Sequence, residues 1–551
     1  MASPLQSRAL HALVGVLATV TGMAAGHLVA ALLDPSASPV VAVGSEVIDR
    51  TPTPVKTWAI DQFGNADKPI LIGSVIVVTL ILAAVAGILA RRRRAAGTVL
   101  LLVLVGAAGA AAMLRPTATV VDLLPALATA AVGVGVFWLL LARIPARRAP
   151  DAAADAAPAA DASPGAPVTS DAGATPAARP DVMVPGGARR AERPSASRRG
   201  FLVLAGATTA AAAVMAGAGE LIGRAGRAIS VALPRPAQPI PALPTGLEER
   251  FEGISPFQTP REDFYRVDIN LTVPVVDEST WRLTVDGDVE EPYTLSFDEL
   301  LEMPLVERDI TMTCVSNNVG GPYVGSARWL GVPMREILAR ARPSGSADAV
   351  LSTAVDGFTI STPLDVLTDP GRDALVVVGM NGEPLPREHG FPVRMITPGI
   401  YGYVGATKWL ERLTVTRFDE VEAYWTERGW DVEAPIKMSS RIDTPQSLSR
   451  IPAGETVIGG VAWAQPVGVA KVEIAVDGGE WQECELGPAA ETDDNPGDYW
   501  RQWFHVTQLD EGQHRFVVRC TNDDGQVQTD VKADDFPNGS SGLHNILVIA
   551  E

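Results

Sequence analysis

The sequence predicts three fold classes in succession: a helical transmembrane region, an α+β domain, and an all-β domain that ends the chain. Three observations carry this. Of 551 residues 47% are hydrophobic, with Ala- and Gly-rich apolar runs crowding the first part while most tryptophans lie from Trp281 onward. A stretch without periodicity, 146–196, separates the two halves. From about residue 435, short alternating runs between Gly, Asp and Asn turns replace a mixed strand and helix pattern.

The formal net charge of −19 argues against nucleic acid as a partner, because phosphate binding needs clustered Lys and Arg. The basic clusters that exist, "RRRR" at 91–94 and Arg147-Arg148, flank apolar runs and read as topology signals. Three cysteines, Cys314, Cys484 and Cys520, are too few for a disulfide scaffold and match no zinc or haem spacing.

Within 1–145, four apolar runs near 9–33, 69–90, 98–114 and 122–142 are long enough to cross a ~30 Å hydrocarbon layer. Arg8, the arginine run and Arg143 to Arg148 fall on one side of successive spans, which the positive-inside rule makes cytoplasmic. The loop from Asp34 to Lys68 then lies outside. Residues 146–196, rich in Ala, Pro, Asp, Ser and Gly, bury too little apolar surface to fold and act as a tether.

Residues 197–222 follow. Ser197-Arg198-Arg199-Gly200-Phe201-Leu202 opens a weakly hydrophobic run and resembles the twin-arginine signal, which exports folded proteins; the plainer reading is one more positive-inside anchor. No small-residue cleavage site stands out, so the segment is expected to stay as a fifth span. The rest of the chain then faces outward from the cell membrane.

A Pro-rich connector, 223–250, leads into the α+β domain, 251–434. "LSFDELLEMP" predicts a helix with Ser296 as N-cap and Glu299 completing a capping box. "STPLDVL" predicts another, capped by Thr362 with Pro363 at its first position. In 435–551, runs such as "VAKVEIAVDGGEWQECEL" and "GQHRFVVRCTNDDG" have a β-sandwich signature, and roughly 110 residues suit an immunoglobulin-like module. Cys484 and Cys520 fall on two of these strands, either bridged or, as the sequence favours, packed separately in the core.

The first cysteine is the informative one. In "DITMTC" a period of two puts Ile310, Met312 and Cys314 on an inward face with Thr311 and Thr313 opposite. Taken alone, this describes a buried structural thiol. The residues after it, Ser316, Gly320, Gly321 and Gly325, would let backbone approach a large ligand, and a thiolate there would ligate a redox metal.

Cys314-Val315-Ser316-Asn317 followed by Ala327-Arg328-Trp329 resembles the metal-binding region of the sulfite oxidase family of molybdenum enzymes. "MNGEPLPREHGFPVRMITPGIYGYVGATKWLERLTV" resembles that family's pterin-binding segment, and the likeness extends from about 255 to 548. The layout is similar to membrane-anchored actinobacterial members. The resemblance implies one molybdenum on a single pterin, ligated by Cys314, with His389, Arg394 and Lys408 binding the cofactor and Asn317 and Arg266 beside them. A molybdopterin's phosphate and polar rings call for such cationic and hydrogen-bonding groups. Gly399 and Gly402 would leave the ligand room, and Trp409 is expected in the core behind Lys408.

The implied activity is oxygen-atom transfer coupled to electron transfer, as sulfite oxidation or reduction of an S- or N-oxide, with a homodimer through the C-terminal domain. The substrate side departs from sulfite-oxidising members. Asn318 and Val319 stand where those have two arginines, Asp268 where they have another, with Arg266 two residues away, and Gly429-Trp430 where they carry a tyrosine. The alternative is a non-enzymatic surface module that keeps the fold. No Cys-x-x-Cys-His occurs, and His11 and His27 are separated by about 24 Å along one helix, too far to clamp one haem. Electrons are therefore expected to pass to or from a separate protein.

Overall fold

The structure is a computed structural model and describes residues 4–63, 66–144, 198–225, 229, 231–237, 239–490 and 496–551. The predicted tether, Ser197 of the export-type motif and parts of the connector lie outside the described residues.

The first half is helical: α1 (Pro4–Leu32), α2 (Pro39–Arg50), α3 (Thr53–Phe63), α4 (Asp67–Ala90), α5 (Arg94–Met113), α6 (Leu124–Ala142) and α7 (Arg198–Ala225). Five stretches, Gln6–Leu32, Lys68–Ala90, Arg94–Met113, Val120–Ala142 and Arg199–Ile222, are long and apolar enough to span a membrane, as the sequence predicts. The chain divides into two compact units. One comprises Met1–Gly26, Ile76–Gly106 and Leu127–Gly217, and its helices touch through glycines. A Cβ on Gly15 would fall 1.9 Å from the Ala83 carbonyl oxygen, and one on Gly87 would fall 1.9 Å from that of His11. Without water to drive association, close backbone contact of this kind is what holds helices together in lipid.

The other unit comprises His27–Val75, Ala107–Ala126 and Ala218–Glu551. Its first part, expected as a loop, folds into α2 and α3. Arg115 fixes the entry to α2 by pairing with Asp34 at 2.7 Å and Asp122 at 3.2 Å.

The α+β domain contains β1 (Arg282–Gly287), β2 (Tyr293–Ser296), β3 (Val306–Thr313), β4 (Val324–Pro333), β5 (Ala349–Ala354), β6 (Thr359–Pro363), β7 (Leu375–Met380), β8 (Glu383–Pro384), β9 (Arg394–Ile396) and β10 (Leu410–Thr416). They form two sheets, in the orders β2-β1-β10-β5-β6 and β3-β4-β7-β8, with β9 added to β7. Only β1 and β10 pair in parallel among these. Leu283, Val285, Val332, Val376, Leu413 and Val415 join both sheets in one core. The capping box forms as predicted: the Ser296 hydroxyl accepts from the Glu299 backbone N–H at 3.2 Å, and the Glu299 carboxylate accepts from the Ser296 N–H at 2.7 Å. Thr362 is a correction. It lies in β6, its hydroxyl donates to the Val404 carbonyl, and the short helix Leu364–Thr368 begins after Pro363 without a side-chain cap.

A second correction concerns β3. Thr311 and Thr313 are as buried as Ile310 and Met312, because the face opposite the domain core packs on the C-terminal domain. The Thr311 hydroxyl accepts from the Trp500 N–H at 2.8 Å, and Gln465 Nε2 donates to the Thr311 carbonyl at 2.5 Å. Alternation is preserved, but both sides have partners, so a two-colour reading of inside and outside fails here.

The C-terminal domain is a sandwich of two sheets whose inner faces meet over Ile458, Trp503, Val472, Phe516 and Val548. Cys484 and Cys520 are free thiols buried in that core, the separate packing the sequence favours.

Candidate active site

β3 delivers Cys314 to the start of a tight loop. The Cys314 N–H donates to the Tyr323 carbonyl at 3.0 Å, the Asn317 N–H donates back to the Cys314 carbonyl at 3.0 Å, and Asn317 Oδ1 accepts from the Tyr323 N–H at 2.8 Å. The C-terminal domain grips the loop from behind: Arg441 Nη1 donates to the Gly321 carbonyl at 2.9 Å, and the Ser540 hydroxyl to that of Asn317 at 2.7 Å. Asn317 thus shapes the loop, and its amide oxygen is taken up within it. The glycines do not serve as expected. A Cβ on Gly320 (φ +80°) would lie 2.3 Å from the His544 ring, one on Gly321 2.7 Å from Asn317 Oδ1, and one on Gly325 3.0 Å from the Phe264 ring. Protein, not ligand, makes the close approach.

Cys314 is 9% exposed; burial pushes its thiol up, while hydrogen bonds from the Ser316 N–H and hydroxyl pull the other way. A thiolate here therefore needs a cation beside it.

That thiol shares a cavity of about 420 Å³ with His389, Arg394 and Lys408. A turn at Arg387–His389, closed by Gly390 at φ +112°, knits these three together. Arg394 Nη1 donates to the His389 carbonyl at 3.1 Å, and Lys408 Nζ to the Glu388 carbonyl at 3.2 Å. His389 Nε2 lies 3.2 Å from the Arg261 carbonyl oxygen, so the neutral ring carries its proton there and presents Nδ1 as an acceptor. Burial, reinforced by Arg394 and Lys408, pushes His389 down to about 3, so the ring is neutral at physiological pH. Burial also lowers Arg394, to about 10, and Lys408, to about 8.

Asp268 collects cations. It accepts from Lys408 Nζ at 2.8 Å, Arg266 Nε at 2.7 Å and Lys68 Nζ at 3.1 Å. Burial alone would raise its carboxyl, but Lys408, Lys68 and Arg266 together hold it far below the carboxylate range. Within this network Lys408 stays protonated at neutral pH, because the charge of Asp268 opposes the cost of burial. Arg266 is committed to Asp268 and does not line the cavity. Gly402 lines it; Gly399 instead turns the chain against Arg372 and Pro466. Trp409 is buried, donating its indole N–H to the Arg387 carbonyl at 2.8 Å, under Lys408 as expected.

Residues 270–425 match the family described as oxidoreductase molybdopterin binding domain. The chain is 32% identical over 343 residues to mitochondrial sulfite oxidase of Mus musculus, covering 54% of this chain and 60% of that one. Residues 270–425 thus carry a molybdopterin-binding oxidoreductase domain, and the longer match likens the chain to the sulfite oxidases. An NADH nitrate reductase of Brassica napus is 28% identical over 42% of this chain and 31% of its own length. The sulfane dehydrogenase SoxCD from Paracoccus pantotrophus aligns with a TM-score of 0.45 and 19% identity, over 53% of this chain and 83% of that chain. The chain spans less than two thirds of the length of either curated relative.

The residues fit the cofactor of a sulfite oxidase family member. Among the described residues, Arg394 has no carboxylate partner, and its buried Nε has no hydrogen-bond acceptor. An interior guanidinium left in that state calls for an anion. Among the described residues, no group of three or more His, Cys, Asp or Glu residues is placed to hold a metal.

Several lining residues carried no signal in the sequence: Phe264, Tyr265, Tyr403, Tyr424, Trp425, Lys56 and Lys68. The two lysines lie some 200 or more positions from the residues they face, beyond the reach of any local motif. Tyr265 is a half-buried phenol whose proton is held more tightly by desolvation and by the neighbouring thiol. Trp430, which sits where relatives were expected to carry a tyrosine, packs on Tyr403 and Phe536 at 5.6 and 5.3 Å and does not line the cavity.

Proposed function

We propose that this chain is a sulfite oxidase family member, a membrane-anchored, outward-facing molybdenum-dependent oxidoreductase. It moves an oxygen atom to sulfite or from an S- or N-oxide, and exchanges electrons with a separate redox protein. The observation that carries this is the buried Arg394 guanidinium, without a carboxylate partner among the described residues, lining the same cavity as the Cys314 thiol. When bound, the molybdenum–pterin group would supply the redox couple, and would donate the oxygen atom in sulfite oxidation or accept it in reduction of an S- or N-oxide. The chain does the rest: Cys314 Sγ anchors the metal, and Arg394 and Lys408 hold the pterin's anionic end. His389 Nδ1 accepts a ring N–H, and Tyr265 offers a neutral hydroxyl as donor. Arg266 and Asn317 act at one remove, through Asp268 and through the Cys314 loop.

Five apolar spans and the arginines beside them support multi-pass anchoring with residues 251–551 outside. The sandwich at 435–551 is read as an immunoglobulin-like module through which two copies pair.

The full chain, made in cells that synthesise molybdopterin, is expected to carry about one molybdenum and one pterin per chain. It should turn over sulfite or an S-oxide with artificial electron carriers. Cys314→Ser should retain most of the pterin and lose turnover. Protein lacking both metal and pterin would refute the reading.

A further inference from the structure

The cavity that holds Cys314 has a wall the catalytic domain does not supply. Val47 and Ile48 of α2, Val55 and Lys56 of α3, and Leu71 of α4 line it, together with Phe358, Tyr424 and Trp425. Three ties fix this wall in place. Lys68 Nζ donates to the Asp268 and Asn270 carbonyls, each at 2.8 Å, besides pairing with the Asp268 carboxylate. The Tyr424 hydroxyl donates to Asp49 Oδ1 at 3.4 Å. Gly44 lies so close to Leu271 that a Cβ there would be 2.7 Å from its Cδ1.

The wall is mostly apolar. Val47 and Val55 remain 42% and 50% exposed. Besides Arg394 and Lys408 on the cofactor wall, where His389 is neutral, the described residues that line the cavity include two cations, Lys56 and Lys68, and Lys68 is bound to Asp268. A bare dianion needs several positive groups in place of its hydration shell. A ligand with one anionic or polar sulfur–oxygen head and an apolar tail needs what is present: one ammonium and an aliphatic and aromatic lining.

We propose that residues 47–71 form the specificity wall of the active site, with Lys56 seating the head and Val47, Ile48, Val55 and Leu71 the tail of an amphipathic organosulfur substrate. The chemistry at the head rests on the function proposed above.

The test uses the full chain in lipid nanodiscs and unreactive straight-chain alkanesulfonates of increasing length. Binding is read by calorimetry, and molybdenum and pterin are assayed on the same samples. Affinity is expected to rise about fourfold per methylene until the tail fills the cavity. Ile48→Ser combined with Val55→Ser should flatten that dependence, and Lys56→Gln should weaken every member by about the same tenfold while keeping the slope. A flat series in the wild type overturns the proposal. So does a slope the double serine variant leaves unchanged, since partition of tails into the bilayer would produce that result. A flat series on fully loaded protein sinks the wall alone, whereas a sloped series on protein without metal or pterin sinks the oxidoreductase reading and supports the wall.

Discussion

Arg394 sits in the interior with the Trp329 ring 5.4 Å away and, among the described residues, no carboxylate to neutralise it. A charge kept there at a cost must have a use outside the protein's own stability, so Arg394→Met should separate the two. The cofactor-free protein should become more stable, by about 1–4 kcal/mol, while pterin retention falls at least tenfold. Denaturant unfolding and pterin content check the two halves. His389 gives a pH signature. Its folded pKa, about 3, lies below the ~6.5 of an unfolded histidine, so the unfolded chain binds a proton the site refuses. Stability is therefore complete above about pH 6.5 and drains away between there and about 3, and His389→Gln should flatten that part of the thermal midpoint curve. Cys314, His389, Arg394 and Lys408 each sit in a contiguous motif, and the fold brings all four to one cavity. Asp268 was legible only as a mismatch, since its meaning depends on Lys68, 200 residues earlier in the chain.

Among elements, β3 and its following loop teach the most. The period of two in "DITMTC" is visible in the sequence, but burial of Thr311 and Thr313 is not, because the covering surface comes from Gln465 and Trp500 in another domain. The glycines after Cys314 were legible as sites of close approach, but the approaching groups, His544 above all, are distant in sequence. Gly320→Ala would combine a positive φ with a methyl driven into that ring. The expected cost is about 1–3 kcal/mol, seen as a lower denaturant midpoint, together with reduced pterin content as the Cys314 loop shifts. The Thr362 cap failed for a related reason: its hydroxyl found the Val404 carbonyl across the domain before the helix could use it.

Over the whole molecule, the spans were the easiest feature to read, since length and hydropathy alone decide them. What the first half does was not readable, because α2 and α3 contribute through contacts rather than through a motif. Replacing Arg198 and Arg199 by lysine should keep the span but block folded export. A protease added to intact cells would then spare the catalytic half, whereas it should cut the wild type's exposed loops.

The grip of Ser540 on the Asn317 carbonyl joins positions 223 residues apart, and His544 reaches the same loop from the strand His544–Ala550. A ribosome delivers Cys314 long before it delivers that clamp. The Cys314 loop therefore reaches its final shape only after translation has passed the second domain, and any folding intermediate that lacks the last strand leaves this loop without its clamp.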